Sequence, residues 1–284
     1  MADIGKVLVI GATGHVGGQV AAQLAAGGTP VRALARDPRA ASLPPNIEVV
    51  QGDLTAPDTL DGALDGIDAV YLTWPMLSAE IAEQVVARVA AHARRIVLLS
   101  SGAVRDDLDE QDHPIGRAHA LIEQPITESA LEWTFLRPGG FATNTLEWAP
   151  QIRAGNVVRG AYGSASVALV HEADIAAVAV RALTTDGHAG VKYVLTGPAP
   201  LSRIDQVEAI GAALGRALVW EEIGPEAAVA QMSWLPPDIA RVVLSGLAGY
   251  VDTPGTATTS VREVTGSSAR GYRRWAADHV ADFR

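Results

Sequence analysis

The chain contains no cysteine among its 284 residues. Disulfide scaffolds, zinc–thiolate centres, iron–sulfur clusters and thiol nucleophiles are therefore excluded together. Lysine is almost absent as well, with Lys6 and Lys192 the only two. Basic side chains number 22 against 32 acidic ones, a formal net charge of −10, which disfavours nucleic acid and anionic membrane surfaces as partners. Long apolar runs are missing too: no segment approaches the ~20 residues of a membrane span. The run Val7–Ile10 is too short for a signal peptide and leads straight into a glycine loop. A soluble, cytoplasmic protein is expected.

What is present is apolar side chain in quantity. Hydrophobic residues make up 48% of the chain and charged ones only 19%, which argues against disorder. The length suits one large domain or two small ones. A core of that size needs no metal or disulfide.

Over the first hundred residues, strand and helix patterns alternate. Short apolar runs at Val7–Ile10, Val31–Ala35, Ile47–Gln51, Ala69–Leu72 and Ile96–Ser100 read as strands of a parallel sheet covered on both faces. Between the first two, Val16, Val20 and Leu24 form one helical stripe; Ile81, Val85 and Val89 form another before the fifth strand. Ser78 is placed to cap that second helix, and Arg94 and Arg95 to sit at its negative end. Further elements are expected as a helix at Ile115–Gln124 interrupted by Pro125, strands at Thr134–Leu136 and Val167–Val170, a helix at Ala173–Leu183 and a last sheet strand at Lys192–Thr196. Beyond them come helices at Ser202–Leu214, Glu226–Met232, Ile239–Leu247 and Ser268–His279, and a short strand near Val219. The fold class is α/β, a doubly wound parallel Rossmann sheet with a small C-terminal α/β substrate cap. Residues 1–143 plus 167–196 are assigned to the dinucleotide-binding domain, and 144–166 plus 197–284 to the capping region.

The chemistry enters with Gly11-Ala12-Thr13-Gly14-His15-Val16-Gly17, a G-x-x-G-x-x-G run between a buried strand and an amphipathic helix. The first glycine permits the tight turn, the second lets backbone approach a pyrophosphate, and the third lets helix and strand pack closely. The helix N-terminus offers unpaired N–H groups and a partial positive charge to phosphate. Dinucleotide binding is expected. At the end of the second strand an acidic residue would favour NAD, whereas an arginine pairs with the 2′-phosphate of NADP. Arg36 occupies that position, followed by Asp37, so NADP(H) is preferred over NAD(H). Asp53 in Gly52-Asp53-Leu54 is a candidate acceptor for the adenine amino group.

These motifs, together with Arg36-Asp37-Pro38, Thr134-Phe135-Leu136-Arg137-Pro138-Gly139-Gly140-Phe141, Val170-His171-Glu172-Ala173-Asp174-Ile175-Ala176 and Trp275-Ala276-Ala277-Asp278-His279, resemble the NmrA-like group of atypical short-chain dehydrogenases/reductases. The likeness runs over essentially the whole chain. It implies a Rossmann fold and a nicotinamide cofactor, and it implies a substrate much less specifically. That group includes quinone and dye reductases as well as cofactor-binding regulators.

The wider superfamily resembles itself in a Tyr-x-x-x-Lys pair, whose lysine lowers the tyrosine pKa for proton exchange with substrate. Neither lysine here lies four residues after a tyrosine, so that mechanism is excluded. The helix where the pair would sit carries His119 and Glu123, neighbours at i and i+4. A histidine titrates near neutrality, and a carboxylate one turn away is expected to raise its pKa. The pair is the candidate proton donor; a surface pair without chemistry is the bland alternative.

No metal site is expected, since no metal-ligand spacing occurs among the seven histidines. The acidic stretch Asp106, Asp107, Asp109, Glu110 and Asp112 reads as a solvated loop. In open parallel sheets ligands bind beyond the carboxyl ends of the strands. The cofactor-contacting set is therefore Gly11, Thr13, Gly14, His15, Val16 and Gly17 on the loop, Arg36, Asp53 and Leu54 next, and Thr73, Trp74, Pro75, Ser100, Ser101, Pro138, Gly139 and Phe141 on later strand ends. Met76, Gly102, His113, Phe141, Trp148 and Trp234 are candidates for an apolar substrate pocket, each aromatic being individually as compatible with core packing. The expected activity is an NADPH-dependent hydride transfer to an apolar small molecule such as a quinone, enone or ketone. A non-catalytic NADP(H) sensor and a redox-neutral enzyme stay open as alternatives, and an oligomer is neither indicated nor excluded.

Overall fold

The computed structural model describes residues 4–76, 78–232 and 235–284. Seven parallel strands build its principal sheet: β1 (Val7–Ile10), β2 (Val31–Ala35), β3 (Glu48–Gln51), β4 (Ala69–Thr73), β5 (Arg95–Leu99), β6 (Glu132–Pro138) and β7 (Val191–Leu195). Their spatial order is β3-β2-β1-β4-β5-β6-β7. Pairing runs Ile10 with Leu34 and Leu72, then Leu72 with Leu98, and Leu98 with Phe135. That register brings the residues just past Ile10, Thr73, Leu99 and Phe135 to one edge of the sheet. The strand order reverses on either side of β1, which makes a topological switch point.

Central strands are apolar throughout because both faces are covered: every residue of β1 and β5 is buried. Helix α1 (His15–Ala26) packs against a later helix, α4 (Glu172–Thr184), and Gln23 Nε2 donates to the Ala173 carbonyl at 3.1 Å. Helices α2 (Ala82–His92) and α3 (Pro114–Glu128) pack together. Right-handed crossovers send α1 to one face and α2 and α3 to the other, since the two halves of the sheet grow in opposite directions.

Three local expectations are corrected. Helix α2 begins at Ala82 with Ile81 at its cap position, three residues past Ser78. Helix α3 runs through Pro125 to Glu128, with buried Ile122 and Ile126 anchoring the turn from which the proline removes a hydrogen bond. Arg95, 5% exposed, serves α4 and not α2: it donates to the carbonyls of Leu183 and Thr185 at the α4 C-terminus (3.0 and 2.8 Å) and pairs with Glu132.

The chain divides into two compact units. The first, Met1–Pro138 with Glu172–Leu195 and Ser260–Gly266, holds the sheet. The second comprises Gly139–His171, Thr196–Thr259 and Ser267–Arg284. Within it, Val157–Gly160 pairs in parallel with Val219–Glu222, and Ser166–Val167 pairs antiparallel with Leu201–Ser202. Val170, expected in a strand from Val167, instead forms a single bridge to Phe141. Helix α5 (Arg203–Leu214) starts at a reciprocal capping box between Ser202 and Asp205. Its apolar face joins Trp148, Ile152 and Trp275 in the second unit's core. Among the described residues no helix is long and apolar enough to cross a membrane.

Candidate active site

The glycine loop follows β1 directly. Gly11 has φ +92°, a conformation open to glycine, and a Cβ there would lie 2.8 Å from Thr73 Cβ. A Cβ on Gly17 would come within 2.2 Å of the Gly11 carbonyl oxygen, so the third glycine is required for helix and loop to touch. Gly14 is different. Its Cβ would meet only the Gly11 oxygen at 3.4 Å, leaving its outer side open. Gly14 is also the N-cap of α1 and supplies no side-chain cap, and the first turn carries no acidic residue. The first N–H groups of α1 thus face outward unpaired, a cradle for a diphosphate. Val16 and Gly17 are buried while Thr13 and His15 are exposed. The Thr73 hydroxyl beneath the loop is buried with no hydrogen-bond partner. An open cradle above an unsatisfied donor fits a dinucleotide.

Beside the loop, Arg36 is exposed immediately after β2; among the described residues its guanidinium forms no hydrogen bond or ion pair, its charge helps lower the Asp53 carboxyl, and its carbonyl accepts from Gln51 Nε2 at 3.3 Å. Asp37, which stands where it would repel a phosphate, has its Oδ1 engaged by the Arg39 N–H at 3.0 Å. Asp53 closes a local turn, accepting from the Thr55 N–H and hydroxyl (2.9 and 2.8 Å), and these bonds hold its carboxyl below the usual range. Leu54 is buried in the core, as is Trp74, whose indole N–H donates to the Ser78 carbonyl at 3.0 Å. Pro75 is exposed and Met76 half-buried against the same core.

At the ends of β5 and β6 the structure assembles a network whose extent the sequence did not reveal. Glu123, 5% exposed, accepts from the Ser100 hydroxyl at 2.5 Å and from Arg137 Nε at 2.9 Å and Nη2 at 2.5 Å. Arg137, 4% exposed, continues to Asp106 through two bonds of 2.9 Å, and Asp106 takes Lys192 Nζ at 2.6 Å. Arg137, supported by Lys192, holds the Asp106 carboxyl down at about 2, and the two carboxylates push the guanidinium pKa up. Asp106 lies in an exposed loop as expected, but its carboxylate is ion-paired there with Arg137 and Lys192. The sequence signal was an arginine directly after the apolar pair Phe135-Leu136 of a strand, which demands a buried counter-ion.

His119 lies one turn before Glu123, but the expected upward pKa shift does not result. Burial pushes the imidazole below its ordinary value and outweighs the Glu123 charge, whose oxygens are already committed to Arg137 and Ser100. The His119 Nδ1 is buried without a partner. His113 caps α3, its Nδ1 accepting from the Ile115 N–H at 3.2 Å. Ser101 accepts from the Ala103 N–H at 3.1 Å, and the Gly102 N–H donates to the Pro138 carbonyl at 2.9 Å.

Gly139, Phe141 and Trp148 belong to the second unit. Phe141 is half-buried at its bridge to Val170; Trp148 is 2% exposed and meets Trp220 edge-on, with ring centroids 5.8 Å apart. Trp234 lies outside the described residues. No group of three or more metal-ligating side chains occurs among the described residues.

Sheet order, open cradle and switch point define a dinucleotide-binding α/β protein. A family described as NAD(P)H-binding matches residues 11–186. The (4-alkanoyl-5-oxo-2,5-dihydrofuran-3-yl)methyl phosphate reductase of Streptomyces griseus is 42% identical over 281 residues, covering 98% of this chain and 99% of that one. The NAD(P)H azoreductase of Xenophilus azovorans is 33% identical over 98% of this chain and 99% of its own. The crystal structure of the NADPH-dependent quinone oxidoreductase QOR2 from Escherichia coli superposes with a TM-score of 0.77 at 23% identity, covering 96% and 98% of the two chains, a likeness of fold. The chain belongs to the NAD(P)H-binding family and, like its full-length relatives, is a reductase.

Proposed function

We propose that the enzyme prefers NADPH and reduces an apolar, conjugated small molecule such as a quinone, enone or ketone. The observation that carries this reading is the uncapped α1 N-terminus behind Gly14 with an exposed Arg36 just past β2. Backbone N–H groups hold the diphosphate there, and the planar Arg36 fork pairs with the 2′-phosphate that distinguishes NADP from NAD. Asp53 and Leu54 contribute at the adenosine end, and Thr73, Trp74, Pro75, Ser100, Ser101 and Pro138 along the remainder. The alkanoyl-oxodihydrofuran in the name of the Streptomyces relative is an electrophile of the conjugated kind.

When bound, the reduced nicotinamide supplies a hydride. The chain's contribution is placement. Arg137 fixes Glu123, and Glu123 fixes the Ser100 hydroxyl as a donor turned inward. His119, held mainly neutral at pH 7 by burial, delivers the proton that follows the hydride in its protonated minor form, and recharges from solvent. Met76, Gly102 and His113, all of the first unit, are proposed to border the acceptor.

The test is loss of the reduced-nicotinamide absorbance on mixing with a panel of quinones, enones, ketones and azo dyes. Turnover with at least one apolar acceptor and a lower KM for NADPH than NADH is expected. Tight NADPH binding with no turnover on any member would contradict the substrate class.

A further inference from the structure

Helix α3 opens on an uncommon cap. His113 stands at its N-cap position with φ −97° and ψ 127°, and the ring Nδ1 accepts from the Ile115 N–H at 3.2 Å. Pro114 follows in the first turn, where a proline suits the helix and pushes the residue before it into extended backbone. Serine, threonine, asparagine and aspartate are the favoured residues at such a position, and histidine is not among them. Breaks in a local rule of this kind concentrate at functional sites.

The cap decides which ring nitrogen carries the proton. Nδ1 is an acceptor, so the proton of the neutral ring lies on Nε2, which is then a donor. Among the described residues Nε2 makes no hydrogen bond, and the residue is half-buried.

The start of α3 is pinned to the edge of the sheet where ligands bind. A Cβ on Gly116 would come within 2.5 Å of the Ala103 carbonyl oxygen, so the first turn lies directly on the chain leaving β5. Two turns further on, Glu123 takes the Ser100 hydroxyl at the end of the same strand. The face of α3 that carries Gly116, His119 and Glu123 is thereby turned toward the carboxyl end of β5, and His113 precedes that face by one turn. The intervening loop is closed on itself. Gln111, 8% exposed, accepts from the Arg105 N–H at 2.8 Å and donates to the Arg105 carbonyl at 2.6 Å. All these residues belong to the first unit. A donor held this way is preorganised.

We propose that the His113 Nε2–H donates to the carbonyl oxygen of the acceptor and stabilises the negative charge that develops there. The inference rests on the reductase reading and deepens it. As the acceptor carbon gains a hydride from the reduced nicotinamide, the displaced π pair moves through the conjugated system onto that oxygen. The proton that follows comes from His119, and His113 keeps its own. With the Tyr-x-x-x-Lys pair absent and the Ser100 proton spent on Glu123, the His113 N–H is a donor still unspent at this edge.

The test uses the full chain saturated with NADP⁺. para-Nitrophenolate stands in for the developing oxyanion, para-nitroanisole is the neutral control, and binding is followed by phenolate absorbance and calorimetry. Saturable binding of the phenolate, tighter than that of the anisole, is expected. His113→Ser is the decisive variant, because it keeps an oxygen cap on α3 and removes the ring donor. Its melting temperature and NADPH affinity should match the wild type. Its phenolate affinity should fall by roughly tenfold or more, and kcat on whichever panel acceptor the wild type reduces should fall by roughly a hundredfold with KM little changed. His113→Asn, which caps through its oxygen and retains an N–H, should fall between. Nitrogen NMR of the isotope-labelled wild type should show the His113 proton on Nε2 and a shift of that nitrogen when phenolate binds. The proposal is overturned if the wild type does not bind phenolate, if the ring proton lies on Nδ1, or if folded His113→Ser keeps wild-type phenolate affinity and kcat. Phenolate binding that depends on His113, with no turnover of any acceptor, would contradict the reductase reading and uphold the donor site.

Discussion

Arg137 and Glu123 form a two-pronged ion pair inside the first unit, Nε to Oε1 at 2.9 Å and Nη2 to Oε2 at 2.5 Å, with both side chains about one-twentieth exposed. It joins β6 to α3 and leaves the Ser100 hydroxyl a single direction in which to donate.

Breaking this pair from one side should be costly. Arg137→Met leaves a carboxylate buried and uncompensated, a loss of about 3–5 kcal/mol. The double variant Arg137→Met/Glu123→Leu should recover most of it, because a buried pair replaced by apolar side chains is often nearly neutral. Urea denaturation of the two single variants and the double variant measures the coupling. Additive losses would mean the pair is not a unit.

Cofactor choice should follow Arg36. Arg36→Ala should weaken NADPH by roughly ten- to a hundredfold, the range of charge-assisted bonds, and leave NADH nearly unchanged. Fluorescence titration with each nucleotide distinguishes the two; equal losses would remove Arg36 from phosphate recognition.

His119 gives a pH signature. Its folded pKa is depressed by burial, so as proton donor it should make kcat rise as pH falls from 7 to below 6.5, and His119→Ala should flatten that limb. Stability changes with the opposite sign. The unfolded chain binds a proton at ~6.5 that the folded chain resists, so stability is lost on acidification below that value, and His119→Ala should abolish this part of the loss. An identical kcat profile in the variant would exclude His119 as donor.

Asp106 acts lower on the pH scale. Held at about 2 by Arg137 and Lys192, it contributes stability that is present above its unfolded value and lost as pH falls through the range between about 4 and 2. Asp106→Asn should remove that acid-range dependence in thermal melts. A melt curve against pH that is unchanged by the substitution would contradict the pairing.

The strands of the sheet and the glycine loop were readable because each carries a local signature: a short apolar run, a glycine triplet, a 3.6-residue stripe. Val7–Ile10 and Val31–Ala35 are found at the expected bounds, and the others shift by a residue, except β6, which runs two residues past each expected end. Residues that act across the fold were not readable. Nothing local in Asp106 tells that Arg137, 31 positions away, will reach it. His119 and Glu123 were correctly seen as neighbours, but the direction of the histidine's shift depended on burial and on Arg137, neither of which spacing encodes. Arg95 was assigned to the preceding helix because that helix is adjacent in sequence; the Leu183 carbonyl it serves lies 88 residues later.

The central claim is that a dinucleotide diphosphate rests on the amino end of α1 at Gly14. Gly14→Ala is the sharpest probe, since its Cβ meets only the Gly11 oxygen at 3.4 Å and projects otherwise into the cradle. Calorimetric titration with NADPH should give one site in the wild type and a large loss of affinity in Gly14→Ala, at a melting temperature nearly unchanged. NADPH affinity equal in the two folded proteins, or undetectable at millimolar nucleotide in the wild type, would contradict it.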